Sequence, residues 1–308
     1  MKLQEVVKDA RDTVLERLTV EVNEIMNKLP IILALGNKDM KDRHWKKIFG
    51  LIGKHWSAGA TMKLSEIQTS NIMDYREKVE EISGEAQGQA QILKAVDAIS
   101  KKWAELAFNV QNYRDSKDRF IIGSVDDIIA ALDDHQLNVQ TMLATRFVSE
   151  IRPQVEEWEK KLGLISEVID EWLTCQRQWM YLENIFNAED IQKQLPAETA
   201  KFKLVDKFWR ELMIKTNNKK IVVELCANEE LLKKLQSNNQ VLEDIQKGLE
   251  NYLETKRAAF PRFYFLSDDE LLEILSQTRN PHAVQNHLRK CFDNINRISF
   301  TEEEQSKE

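Results

Sequence analysis

Apolar residues recur along this chain at the alternating steps of three and four that mark one face of an α-helix. Leu15, Leu18, Val22, Ile25 and Leu29 follow at steps of 3, 4, 3 and 4, which predicts one amphipathic helix over residues 2–29. Pro30 should interrupt it, because proline lacks an N–H and its ring collides with the preceding turn. Asn37 or Asp39 can cap a second helix carrying Trp45, Ile48, Phe49 and Ile52, and residues 53–60 read as a connection. Ile72, Tyr75, Val79 and Ile82 predict a short helix ending at a break formed by Gly84 and Gly88. Ile92, Val96, Ile99, Trp103 and Leu106 then define another, and packing the two face to face would cover both stripes.

The period changes once. In LAFNVQNYRDSKDRFIIG, apolar and polar residues alternate on either side of the polar RDSKD, which predicts two short strands joined by a turn near residues 105–123. Helical spacing then returns. Ser124 followed by Asp127 resembles a capping box ahead of Val125, Ile128, Ile129, Leu132, Val139, Met142, Leu143 and Phe147. Pro153 suits the first turn of a long helix reaching about residue 184, with Trp158, Leu162, Ile165, Ile169, Trp172 and Trp179 on its seam. At ~1.5 Å per residue it would span roughly 45 Å. Helices are also predicted near Ala188 and from Glu198 behind Pro196, with NNKK at 217–220 as a loop, and a further helix on Val241, Ile245, Gly248 and Tyr252. FPRFYFLSDDELLEIL passes from an extended aromatic piece to a helix capped by Ser267 with Glu270. Pro281 starts a last helix, and TEEEQSKE reads as a frayed end.

Composition narrows the fold class. Only 9 Gly and 5 Pro punctuate 308 residues of which 31% are charged, a balance that suits long amphipathic helices. The expected architecture is mainly α: an elongated array of helical bundles and hairpins with the one short β-hairpin. Residues 1–104 form an N-terminal helical part, 105–124 the β-hairpin, 125–258 a central long-helix bundle and 259–308 a C-terminal helical part. The net charge of -7 comes from interleaved acids and bases, which offers no phosphate-binding surface for nucleic acid and little attraction to anionic membranes. Cys175, Cys226 and Cys291 lie far apart without CxxC spacing, as expected of reduced thiols in a cytosolic compartment. The N-terminus lacks the apolar run of a secretory signal, and nothing approaches the ~20 apolar residues of a membrane span.

Catalytic motifs find no foothold. The chain contains no phosphate loop, dinucleotide fingerprint, HExxH or GxSxG. His282, His287 and Cys291 make the nearest approach to a metal cluster, but the five-residue step between the histidines points them to different faces. Asp133, Asp134 and His135 fall on the polar side of their helix with no nucleophile nearby. Trp103, Trp158, Trp172 and Trp179 sit on apolar stripes and read as a structural seam rather than a stacking surface for bases. Phe263, Tyr264 and Phe265 cannot all face one side of an extended segment, so with Arg262 they are candidates for contact with another domain.

Four of these stretches, VDDIIAALDDH at 125–135, VEEWEKKL at 155–162, VIDEWLTCQRQWMYLENIF at 168–186 and FPRFYFLSDDELLEILSQTRNP at 260–281, resemble the linker of dynein heavy chains. RHWKKIF at 43–49 behind LPIILALGN extends the likeness over roughly residues 30–298. WMYLENIF, EDIQKQLP and FKLVDKFWRELM are similar to axonemal rather than cytoplasmic dyneins. The resemblance implies a lever that precedes a ring of AAA modules, arches across it and swings from bent to straight with nucleotide state. It implies no catalytic residue, metal or cofactor within the segment, since ATP is bound by the ring and microtubules by a distant stalk. Implied partners are the ring of the same heavy chain and, through the full complex, other dynein subunits and microtubules in the axoneme of the cilium, within the cytoskeleton. Stopping near residue 300, the chain reads as a fragment that ends before the join to the first AAA module. The competing reading is a passive helical-bundle tether, which would have no use for the hairpin or the FPRFYF segment.

Overall fold

The computed structural model describes residues 13–57, 62–114, 116–277 and 281–300. Residues 2–12 of the first expected helix, part of the connection after Gly53 and the TEEEQSKE end therefore lie outside the described residues. The chain divides into two compact units: Met1–Ile99 with Val139–Glu156, and Ser100–Asn138 with Glu157–Glu308.

In the first unit, α1 (Thr13–Leu35) runs straight through Pro30, against the expected interruption. The reason is tertiary. Ile31 at 0% and Leu35 at 7% exposure close a cluster with Ile48, Ile67, Ile72 and Val79, and burying two such side chains gains ~1.5–3 kcal/mol each. That offsets the ~3 kcal/mol a proline costs inside a helix. α2 (Asp42–Leu51) is capped by neither Asn37 nor Asp39, since its N-cap is Lys41 in extended conformation. Asn37 instead donates from Nδ2 to the Ser83 carbonyl at 2.9 Å and to Ser83 Oγ at 3.0 Å.

After α3 (Leu64–Thr69) and a 3-10 turn at Asn71–Tyr75, one helix, α4 (Arg76–Glu105), replaces the two expected. Gly84 and Gly88 do not break it. A Cβ at Gly88 would stand 2.6 Å from the Phe147 ring, whereas one at Gly84 would meet nothing within 4 Å. Gly88 is thus a point of close approach, where the missing side chain makes room for an aromatic ring.

In the second unit the expected hairpin is present. β1 (Val110–Asn112) pairs antiparallel with β2 (Phe120–Ile122), Val110 opposite Ile122 and Asn112 opposite Phe120. A single bridge between Ala107 and Ile221 ties the approach to β1 to a distant segment. α5 (Asp126–Ala144) follows, with Ser124 bonded to Asp126 rather than to Asp127. α6 (Arg152–Phe186) has 35 residues, or ~52 Å at ~1.5 Å per residue. Then come α7 (Glu189–Gln194), α8 (Pro196–Asn218), α9 (Val222–Cys226) and α10 (Glu229–Ala259), with α8 packed on α10. The buried stripe of α10 is Leu242, Ile245, Leu249 and Leu253; Val241, Gly248 and Tyr252 flank it, half-buried.

The FPRFYF segment is a 3-10 turn over Pro261–Phe265, not an extended piece. Proline fixes φ near the helical value, and the Phe263 N–H reaches back to the Phe260 carbonyl at 2.9 Å. α11 (Asp268–Ser276) carries the expected box, Ser267 and Glu270 bonding reciprocally. A 3-10 turn at Pro281–His287 leads into α12 (Leu288–Cys291). Among the described residues no helix is long and apolar enough to cross a membrane.

Candidate functional site

One face of α6 grips the hairpin. Trp172, Gln176, Trp179 and Glu183 lie at steps of four, three and four along it, so they form a single row. Trp172 and Trp179 are fully buried. The Phe108 ring leans on Trp172 with centroids 5.4 Å apart, and Tyr113 leans on Trp179 at 5.1 Å. Gln176 acts as a surrogate strand: its Oε1 accepts the Ile122 N–H at 2.8 Å and its Nε2 donates to the Ile122 carbonyl at 2.8 Å. This satisfies both backbone groups of a buried residue that an edge strand would leave unpaired.

Glu183 closes the row. Its side chain is 3% exposed and pairs with Arg119, while Arg114 Nη1 stands 3.6 Å away and Asn187 Nδ2 donates at 2.8 Å. Tyr113 Oη also approaches at 3.5 Å, and burial followed by the Glu183 charge pushes the phenol pKa up. A buried carboxylate is tolerated because cations and donors surround it. On the other side of the row, Trp179 stacks on Trp209 of α8 at 5.4 Å and 23°. The Trp179 indole donates to Asp206 Oδ1 at 3.1 Å, and Asp206 is paired with Arg210 at 2.8 Å.

The remaining seam candidates divide. Trp103 is fully buried and donates to Nδ1 of His135 at 3.0 Å. His135 is thus a positioned partner rather than part of a solvated face, and burial, then the Lys102 charge, lowers its pKa. Trp158 is only half-buried, with the Lys161 ammonium 5.3 Å from its ring; Val155 and Leu162 fill the core at that level.

Of the four candidate contact residues, two are used within the chain. Arg262 donates to the Cys291 carbonyl at 2.8 Å and lies over Phe292 at 4.6 Å, and Phe263 meets Phe260 edge-on at 4.8 Å. Tyr264 and Phe265 project outward at 55% and 67% exposure, the Tyr264 hydroxyl being held by the Glu254 carboxylate.

The family model described as "Dynein heavy chain, N-terminal region 2" matches residues 1–308. The chain belongs to the dynein heavy chain family. It is 44% identical over 290 residues to human dynein axonemal heavy chain 6, covering 94% of this chain and 7% of that one. Similarity to rat dynein axonemal heavy chain 1 is 41% over 286 residues, 93% of this chain and 6% of the relative, and to human dynein axonemal heavy chain 2 it is 41% over 295 residues, 96% and 7%. The dynein segment thus spans about 7% of the length of these relatives.

Chemistry-bearing clusters in this dynein segment are occupied mainly by ion pairs and ring contacts within the chain. His282 contacts Phe300, while His287 faces Glu273 at 3.3 Å and Glu270 at 3.9 Å. The described residues that bring metal-capable atoms together are others, His44, Glu85 and Glu150, within 4.8 Å of one another. His44 Nδ1 accepts the Lys41 N–H at 3.0 Å, which leaves Nε2 to donate to Gln89 Oε1 at 3.1 Å. Lys47 bonds Glu85 at 3.1 Å and Glu150 at 2.8 Å, and Arg43 Nε lies 2.9 Å from Glu150. Two cations already neutralise two carboxylates, and neither imidazole nitrogen is free to ligate. Burial, followed by the Arg43 charge, lowers the His44 pKa. The thiols are inert for the same reason: burial pushes Cys175 up to about 12 and raises Cys226 further.

Sequence reasoning missed Gln176, Glu183, Trp209 and the His44 network. Phe202, Val205, Trp209 and Leu212 keep a 3, 4, 3 rhythm that marks Trp209 as core. No local pattern distinguishes Gln176 or Glu183 from the polar residues around them.

Proposed function

We propose that this chain is the linker of an axonemal dynein heavy chain: a lever that docks on the AAA ring of the same heavy chain and swings with nucleotide state, delivering the power stroke of ciliary motility. ATP is bound by the ring, and microtubules and other subunits are met only through the full complex, in the axoneme. The observation that supports the lever is the row on α6. A lone helix bends easily, but here Trp172, Gln176, Trp179 and Glu183 fix a hairpin along one side while Trp209 of α8 braces Trp179 from another. Bracing on two sides stiffens the helix against bending toward either. A stiff element converts a difference in docking free energy between nucleotide states into displacement.

Tyr264 and Phe265 are the side chains assigned to ring contact, being aromatic, outward and carried on the 3-10 turn just ahead of the capped helix α11. The test replaces both by alanine in the complete heavy chain and measures microtubule gliding beside ATP turnover. The lever reading expects gliding to slow several-fold while turnover persists. Unaltered gliding would remove these residues from the docking surface. Gliding that also survives loss of the α6 grip, in Gln176→Ala with Glu183→Gln, would favour a passive tether.

A further inference from the structure

Many helix cations in this chain are answered by an acid one turn away, as Arg76 is by Glu80, Arg152 by Glu156 and Lys247 by Glu243. Two cations at that spacing repel instead. In α2 such a pair, Arg43 and Lys47, is neutralised from elsewhere in the fold. One carboxylate, Glu150, spans both at 2.9 and 2.8 Å, and Glu85 reaches Lys47 at 3.1 Å.

The outward face of α8 repeats the pair without the answer. Lys203 and Lys207 are both exposed, ~6 Å apart along the axis, and neither forms an ion pair among the described residues. The nearby acids are engaged elsewhere or stand aside. Asp206 holds Arg210 at 2.8 Å and accepts the Trp179 indole, Glu198 lies against Gly248 of α10, and Glu211 makes no ion pair with Lys207. Lys215 and Lys219 share the spacing, but they sit at the C-terminal end, where the helix dipole favours cations; Lys203 and Lys207 lie in the helix interior, out of its reach. Between these two, Leu204 is 73% exposed, the most exposed large apolar side chain among the described residues. Pro196 and Ala200 continue the face into an open groove that Lys193 and Lys203 also line. A simple anion would make no use of the leucine, whereas an acidic peptide with an apolar side chain matches both features.

We propose that Lys203, Leu204 and Lys207 form a docking surface for an acidic segment of a second polypeptide. A carboxylate of that segment spans the two ammonium groups as Glu150 spans Arg43 and Lys47, and an apolar side chain lies against Leu204 towards Ala200 and Pro196. The probe is a fluorescently labelled, alanine-based peptide of about 15 residues with two glutamates one turn apart and a leucine between them, titrated with the full chain and read by anisotropy. Binding should saturate in the range of tens of micromolar and weaken with added salt. Glutamine in place of both glutamates should weaken it at least tenfold, as should Lys203→Glu with Lys207→Glu; Leu204→Ser should weaken it several-fold. Lys160→Glu with Lys233→Glu makes the same change in net charge at exposed positions of α6 and α10 and should leave binding intact. Lys203→Glu alone separates docking from folding: it turns a like-charged pair into a complementary one, so the melting temperature should hold or rise while binding falls. Absence of saturable binding at several hundred micromolar overturns the proposal, and so do equal losses from the control pair, which would reduce the contact to net charge. Tighter binding to phosphatidylserine vesicles or to oligothymidylate than to the peptide overturns it too, giving the face to lipid or nucleic acid.

Discussion

Replacing Trp179 and Trp172 one at a time by phenylalanine separates the worth of indole packing from that of the indole hydrogen bond. Both side chains are 0% exposed and share one face of α6. Each substitution removes the same atoms and leaves roughly 40 Å³ unfilled, ~1 kcal/mol of cavity cost. The N–H groups differ. Trp179 Nε1 donates to the Asp206 carboxylate at 3.1 Å, a bond to a charged acceptor worth ~1.5–3 kcal/mol. Trp172 Nε1 is buried and finds no acceptor, so removing it relieves a desolvation penalty of ~1–3 kcal/mol. Trp179→Phe should therefore cost ~3 kcal/mol, and Trp172→Phe should fall within ~1 kcal/mol of no change. Trp172→Ala, which empties the whole site and strands Phe108, should cost ~3–5 kcal/mol. Urea unfolding followed by far-ultraviolet circular dichroism reads the differences directly, provided the denaturant slopes agree. Equal losses in the two phenylalanine variants would refute the reasoning.

Gly88→Ala should destabilise the first unit by ~1–3 kcal/mol through collision with Phe147, while Gly84→Ala, with open space at its Cβ, should stabilise α4 by up to ~1 kcal/mol; thermal melts of the pair should move in opposite directions. His44 has a folded pKa below its ordinary value of 6.5, so as pH falls through that value the unfolded chain takes up the proton first and stability drops. Urea midpoints should hold above neutrality and decline below pH 6.5, and His44→Gln should flatten that part of the profile. Gln176→Ala strips both partners from the Ile122 backbone and should cost ~2–3 kcal/mol, with the Ile122 amide losing protection in hydrogen exchange.

Local rules alone determined much of this protein. The long helix behind Pro153, the hairpin around RDSKD, the Ser267–Glu270 cap and the burial of Trp103, Trp172 and Trp179 follow from spacing and residue chemistry, because helical period, strand alternation and capping act over a few residues. Tertiary structure decided the rest. Pro30 and the two glycines look like breaks in sequence, yet both helices continue: Ile31 and Leu35 gain burial beyond the proline, and Gly88 makes room for Phe147 within an unbroken α4. FPRFYF reads as extended until Arg262 and Phe263 are drawn onto Cys291, Phe292 and Phe260. The grip on the hairpin depends on Gln176 and Glu183, polar residues with nothing local to mark them. Their partners lie 54 and 64 positions away, at Ile122 and Arg119. A hydrogen bond across such a separation has no local period to betray it, so only the folded arrangement of α6 against the strands could place the site.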